Sequence, residues 1–395
     1  MSATTTLILG GGFGGISAAN TLRGLLGAEH QIVVVDSESR FYVGAGKTWI
    51  MLGEKTFEQI SQSRAALLAP GIRFVEAAIT HIDVANHAVS TNKETLHWDH
   101  LIIALGADLN LALIPGLAES AQTFYTVAGA QRLQHTLEKF SAGNIAMLIP
   151  KAPFKCPPAP YEAAMLLHHY FAKRKLSDKV KLSFYTVEGA PMATAGPEMG
   201  QYIKGELTQR EIAYFPQKVT THIDANAKRI HFEDGSEASF DLLIAIPPHE
   251  APKVVRDAKL TNAAGWIPVD PKTLRVNSAA PSDSIYAIGD VTVLPLPGRY
   301  KPEIGLSLPK AGVFAAAQGK TVAHQIAATI RDESDTPQFD GKGYCYLESG
   351  AGRAIRAEGS FFAMPHPIMQ KQAPDEAQFL DKLAWVEGLL RPIRG

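Results

Sequence analysis

The chain has 395 residues, room for two or three domains at roughly 150 each. Its 38 Lys and Arg against 39 Asp and Glu leave a net charge of −1, which gives no support for nucleic-acid binding through bulk charge. The 46% hydrophobic content is that of a folded globular protein, and two cysteines exclude a disulfide scaffold or a four-thiolate zinc site. No apolar run reaches the roughly 18 residues of a transmembrane helix. The start, Met1-Ser2-Ala3-Thr4, lacks the charged and apolar segments of a signal peptide. A cytoplasmic or peripheral-membrane protein is expected. Without C-x-x-C, Cys156 and Cys345 are either two buried bystanders or one functional pair.

Residues 6–9, Thr-Leu-Ile-Leu, form a short apolar run expected to be a buried parallel strand. It leads into Gly10-Gly11-Gly12-Phe13-Gly14-Gly15, which satisfies G-x-G-x-x-G at Gly10, Gly12 and Gly15. A helix over 16–26 follows, then a β-branched strand over 31–36 that ends on Asp36. This order is that of a dinucleotide site. Gly10 permits the tight turn, Gly12 lets a pyrophosphate approach the backbone, and Gly15 lets helix and strand pack closely. The helix N-terminus attracts the phosphates, and Asp36 accepts from ribose hydroxyls.

Residues 99–106 read as a strand closing on Gly106, followed by Ile114-Pro115-Gly116. Residues 144–149 are the opening strand of a second nucleotide-fold unit. They lead into the proline-rich run from Pro150 to Pro160, where a nucleotide-binding unit needs glycines. Proline offers no N–H to a pyrophosphate, so this unit is expected not to bind NAD(P). Cys156 sits in that run, just before a helix N-terminus that would stabilise its thiolate, and Glu162 falls in the first helical turns as a candidate proton carrier. His168 and His169 are adjacent and face apart on a helix, and no third ligand is visible, so no metal site is expected. Residues 241–248 echo 99–106, each after a hairpin signal such as Glu233-Asp234-Gly235-Ser236. Residues 284–291 form a strand ending in Gly289-Asp290, and Lys310 precedes a helix over 314–330. Residues 376–391 show helical spacing of Phe379, Leu380, Leu383, Val386, Leu389 and Leu390, suited to a membrane surface or to packing.

The three segments ending at Gly15, Gly106 and Asp290 resemble the two-dinucleotide-domain flavoproteins of the disulfide-reductase superfamily. That resemblance implies FAD, with Asp290 on its ribityl chain and Lys310 near the ring. Cys156-Pro157-Pro158-Ala159-Pro160-Tyr161-Glu162 resembles the flavoprotein subunit of flavocytochrome c sulfide dehydrogenases and the related sulfide:quinone oxidoreductases. Gly343-Tyr344-Cys345-Tyr346 is similar to the second cysteine element of those families.

The fold implied is α/β, with two nested Rossmann-like domains and a C-terminal interface region. The FAD-binding domain covers 1–115 and 250–328, the second domain 116–249, and the C-terminal region 329–395. The function implied is oxidation of sulfide or a persulfide through a Cys156–Cys345 redox pair with Glu162. FAD would contact Gly10, Gly12, Gly15, Asp36, Gly106, Gly289, Asp290 and Lys310, and a quinone or a cytochrome c would take the electrons. The alternatives are a type II NADH:quinone oxidoreductase-like flavoenzyme and a non-catalytic FAD-binding sulfur carrier.

Overall fold

A computed structural model describes residues 3–277, 284–334 and 336–393. Met1 and Ser2, part of the expected leaderless start, lie outside them. Two five-stranded parallel sheets organise the chain. The first has the order Ile285–Ala287, His100–Ile103, Thr5–Leu9, Gln31–Asp36, Ile72–Glu76. The second has the order Ala121–Gln122, Leu242–Ala245, Gly143–Ile149, Val180–Thr186, Ala213–Phe215. The Thr5–Leu9 strand is apolar because both faces are covered, and Leu7, Ile8 and Leu9 are fully buried.

The two sheets repeat one plan. Each carries a three-stranded antiparallel hairpin unit, at Ile79–Asp83, Ala88–Thr91 and Thr95–His97, and at Thr220–Asp224, Arg229–Phe232 and Glu237–Ser239. The second sheet is contained between the His100–Ile103 and Ile285–Ala287 strands of the first, which pair directly with one another. The last region adds an antiparallel sheet, Lys342–Gly350, Arg353–Ser360 and Ile368–Lys371. One hydrophobic core surrounds the first sheet, and another joins the second sheet to Leu347, Ile355 and Val386 of the last region.

The glycine turn is tighter than the sequence pattern requires. The first helix is Phe13–Leu25 and starts inside the motif, three residues before the expected 16. Gly10 has φ +101°, and a Cβ there would sit 2.4 Å from the Ala104 carbonyl oxygen. A Cβ on Gly15 would sit 1.9 Å from the Gly10 carbonyl oxygen, so Gly15 closes the helix onto the strand. This helix packs against a long helix, Gly312–Ile330.

The C-terminal helix Glu376–Leu389 lies on the Arg353–Ser360 strand, capped by the Asp375 side chain. Its apolar residues do not form one outward stripe. Leu380 is 55% exposed, and Lys382 is as deeply buried as Val386, each at 1%. Among the described residues no helix is long and apolar enough to cross a membrane.

Candidate active site

The glycine turn, the ends of the first sheet's strands and the proline loop converge on one cavity of about 700 Å³. That size suits a bound small molecule, which typically occupies roughly 300–1,000 Å³. Gly10, Gly12, Asp36, Gly106, Gly289, Asp290 and Lys310 line it, together with Cys156, Glu162 and Cys345. Gly15 does not. It stands at the helix–strand contact, the packing role that the motif gives it.

The dinucleotide end is held rigidly. A Cβ at Gly12 would meet nothing within 4 Å, so the backbone stays open to an approaching phosphate. Asp36 accepts from the Gly11 N–H at 2.8 Å and pairs with Arg64 at 3.3 Å. The Arg64 Nε donates to the Gly11 carbonyl at 2.9 Å, and its guanidinium also reaches the carbonyls of Glu38 and Arg40. Arg64 thereby fixes both the acid and the turn, and no sequence motif marks it. Because a hydrogen bond to a charged group contributes about 1.5–3 kcal/mol, Arg64→Ala should weaken dinucleotide-cofactor retention roughly 10- to 100-fold. Cofactor release measured by gel filtration and absorbance checks this; full retention would show that Arg64 is dispensable.

Asp290 is the counterpart at the other end. Burial raises its carboxyl above the usual range, while Lys155, Lys310 and Lys47 pull the other way. Its Oδ1 is buried without a hydrogen-bond partner, an acceptor aimed at a cavity that a polyhydroxyl chain would satisfy. Lys310 lines the cavity beside it. Burial lowers its amine to about 8. That amine donates to the carbonyls of Asp290 at 2.6 Å and Thr292 at 2.8 Å, and it sits 3.5 Å from the Trp266 ring centroid. The side chain is committed to the protein. Its backbone carbonyl instead accepts from the Cys156 N–H at 2.7 Å, and Lys155 and Lys310 form a parallel bridge.

Cys156 occupies a left-handed turn at φ +57°, a conformation that costs of order 1–3 kcal/mol for a residue with a side chain. Cys156 and Cys345 are both free and half-buried, reachable from the cavity yet surrounded by protein. The helix Ala159–Lys173 starts just beyond Cys156. Its first N–H, that of Ala159, lowers the Cys156 thiol in the direction the sequence reading expects. Burial comes first and pushes the Cys156 thiol up to about 11, with Glu162 adding and Lys382 and Lys47 opposing. Burial also pushes Cys345 up to about 12, with Cys156 and Glu162 adding. Desolvation of an anion works against the charged form of both thiols.

Glu162 joins the two cysteine elements. One oxygen accepts from the Glu348 N–H at 3.0 Å, on the strand that carries Cys345. The other accepts from Lys382 at 3.1 Å and from Thr48 at 3.4 Å. Lys382 also pairs with Glu348 at 2.5 Å, and Trp49 Nε1 donates to the same Glu348 oxygen at 2.9 Å. Burial alone would lower the Lys382 amine, but Glu162 and Glu348 together hold it above its ordinary value. Two buried acids share one ammonium. Burial raises Glu162, Lys382 opposes, and Glu348 adds. The Glu162 carboxyl is thereby held above the ordinary carboxylate range, at about 6. Lys47, Thr48, Trp49, Arg64, Glu348 and Lys382 were all missed from sequence.

In the second unit Glu188 lies two residues beyond the strand Val180–Thr186, close to where Asp36 ends the corresponding strand of the first unit. Tyr161 donates to Glu188 at 2.6 Å and Thr186 lies at 3.3 Å, so this acid is satisfied by the protein itself. A second groove, about 810 Å³, opens on the far side of Phe13, Phe41, Tyr344 and Trp385, which line both spaces.

Residues 4–148 match the family model of pyridine nucleotide-disulphide oxidoreductases, and residues 130–247 match that of the central part of the flavocytochrome c sulfide dehydrogenase flavoprotein chain. The mitochondrial sulfide:quinone oxidoreductase of Mus musculus is 25% identical over 371 residues, covering 91% of this chain and 78% of that protein. The type II NADH:quinone oxidoreductase of Staphylococcus aureus is 24% identical, covering 96% and 94%. The crystal structure of the sulfide:quinone oxidoreductase from Aquifex aeolicus superposes with a TM-score of 0.86 at 23% identity, covering 98% of this chain and 90% of that one, and so shares the fold.

Proposed function

Because the chain belongs to the flavoprotein family of the sulfide:quinone oxidoreductases and flavocytochrome c sulfide dehydrogenases, we propose that it oxidises sulfide or a persulfide through Cys156 and Cys345, with FAD as its flavin and a quinone as acceptor. The observation that carries this reading is the meeting of both cysteines and Glu162 with the dinucleotide turn in one cavity.

The oxidised state of the pair is a Cys156–Cys345 disulfide. A hydrosulfide anion attacks one sulfur, an S–S bond forms to the incoming atom, and the other cysteine leaves as a thiolate. The persulfide sulfur is then two electrons more oxidised than the sulfide that entered. Glu162 serves the proton carried by the sulfide or by the departing thiol, and its place between the two cysteine elements suits both. When bound, FAD supplies a two-electron acceptor that lets the pair re-form as the sulfane sulfur leaves. Gly106, Gly289 and Asp290 line its place, and Asp36 and Arg64 fix the adenosine end.

The second groove supports a quinone over a cytochrome c, since a flat apolar acceptor fits behind the aromatic wall that the two spaces share. Peripheral membrane contact through 376–391 fits the same reading, with Leu380 outward. The NADH-driven alternative lacks a glycine turn at Pro150–Pro160, and its acid, Glu188, is already bonded to Tyr161. Anaerobic titration tests the choice. Sulfide should bleach the flavin at about one equivalent per site, and NADH should leave it oxidised. Bleaching by NADH alone would replace this reading with the alternative, and no bleaching by either would favour the non-catalytic sulfur carrier.

A further inference from the structure

The cysteine loop has few bonds with which to hold its own shape. Five of the eleven residues 150–160 are prolines, which fix φ but donate no backbone hydrogen bond. Within the loop Cys156 keeps φ at +57°, a left-handed turn that a residue with a side chain leaves unless its surroundings hold it there. Three backbone groups at this turn are taken, each by a different part of the molecule. The Cys156 N–H donates to the Lys310 carbonyl at 2.7 Å, and the Cys156 carbonyl accepts from the Ala159 N–H at 2.9 Å. The Lys155 carbonyl accepts from the Tyr125 hydroxyl at 3.0 Å.

Tyr125 lies between the edge strand Ala121–Gln122 of the second sheet and the helix Val127–Lys139. It is 3% exposed, lines the cavity, and meets the His249 ring edge-on at 5.6 Å. Its carbonyl accepts from the buried Lys47 amine at 2.8 Å, and its N–H donates to the Thr123 hydroxyl at 3.1 Å. The residue is therefore fixed on its own side before it reaches the loop. Lys310 is fixed on the other side, because its amine holds the Asp290 and Thr292 carbonyls. Both cysteines are free thiols while these bonds are in place, so the clamp does not depend on a disulfide.

We propose that Tyr125 is a positioning residue of the sulfur site, and that with Lys310 it clamps Cys156 in the left-handed turn from which its thiol pairs with that of Cys345. This rests on the sulfur chemistry above and names what places its thiol. A disulfide closes only when the two Cα atoms stand about 4.4–6.8 Å apart with their Cβ atoms facing. A loop already held at that point loses little freedom when the bond forms, which favours the disulfide over the dithiol. Without the hydroxyl the Lys155 carbonyl loses its partner. The loop then reaches other turns, and the dithiol gains freedom that the disulfide does not share.

Tyr125→Phe removes the hydroxyl and keeps the ring. Two measurements on the holoenzyme read it, and neither needs sulfide or an electron acceptor. The first is amide hydrogen exchange followed by mass spectrometry. Between Pro153 and Pro160 the backbone N–H groups are those of Phe154, Lys155, Cys156 and Ala159, so one loosened amide stands out. Exchange there should quicken about fivefold, the weight of one neutral hydrogen bond, while the segment around Cys345 stays unchanged. The second is equilibrium with dithiothreitol. The Cys156–Cys345 disulfide takes up two electrons and two protons, and dithiothreitol gives them up as it closes on itself. The constant should shift about fivefold toward the dithiol. Unchanged exchange, equal quickening around Cys345, or an unshifted equilibrium overturns the proposal. If Tyr125→Phe does not fold, the wild-type chain decides: a protected Cys156 N–H upholds the clamp, and exchange at the unfolded-chain rate overturns it. If the wild-type thiols never pair, the sulfur reading fails, and the exchange measurement alone decides whether Tyr125 holds the loop.

Discussion

Cys156→Ser should lower sulfide-dependent flavin reduction by about 10⁴-fold or more, the scale seen when an attacking group is removed from a site whose parts act as a unit. The flavin should stay bound. The glycine turn, Asp36, Arg64 and Asp290 do not depend on the thiol, and serine fits the space with the same backbone bond to Lys310. The loss is chemical: a hydroxyl can neither join a disulfide nor leave as a stable anion near neutral pH. Cys345→Ser should fail to the same degree, because the proposed step needs one sulfur to be attacked and the other to depart. Flavin absorbance after anaerobic mixing with sulfide reads both variants, and free-thiol titration before and after reduction reads the wild-type pair. Full activity in Cys345→Ser would end the paired mechanism and leave Cys156 acting alone.

Lys382→Met should destabilise the protein by about 3–5 kcal/mol, the usual result of stripping one partner from a buried ion pair. The position is 1% exposed and its partners Glu162 and Glu348 are buried, so solvent does not screen the loss. The effect has a sign in pH. Glu162 already lies above its ordinary value in the folded chain, and removal of the ammonium raises it further. An acid whose folded value is raised favours folding at low pH, and that contribution fades as pH rises through the folded value. The variant should therefore be closer to wild type near pH 5 than near pH 8. Denaturant unfolding at the two pH values checks this. Equal loss at both, or a loss below about 1 kcal/mol, would mean that the acids find another partner.

Much of the architecture could be read from local pattern. The β-branched runs at 31–36 and 144–149, the glycine turn and the proline loop each declare themselves within about ten residues. The repeat was visible because 99–106 and 241–248 share composition. The site was legible only where a residue type is rare, as with the two cysteines. Arg64, Lys47 and Glu348 carry no motif, and their meaning arises from tertiary contacts. Lys382 acts on a residue 220 positions away. It did leave a trace: a lysine between Phe379 and Val386 at helical spacing interrupts the apolar side of 376–391, a side that the spacing leaves open to a membrane surface or to packing. For Cys156 the helix N-terminus is visible in sequence, whereas the burial that opposes it is not. Lys310 was assigned through its charge, whereas its backbone carbonyl makes the contact that matters to the cysteine loop.

The parallel bridge between Lys155 and Lys310 ties the proline loop of the inserted unit to the strand-end segment of the unit around it. Hinge opening between the two units would have to break that seam and carry Cys156 out of the cavity. The bond from the Cys156 N–H to the Lys310 carbonyl couples the position of the cysteine loop to the outer unit's backbone rather than to a side chain.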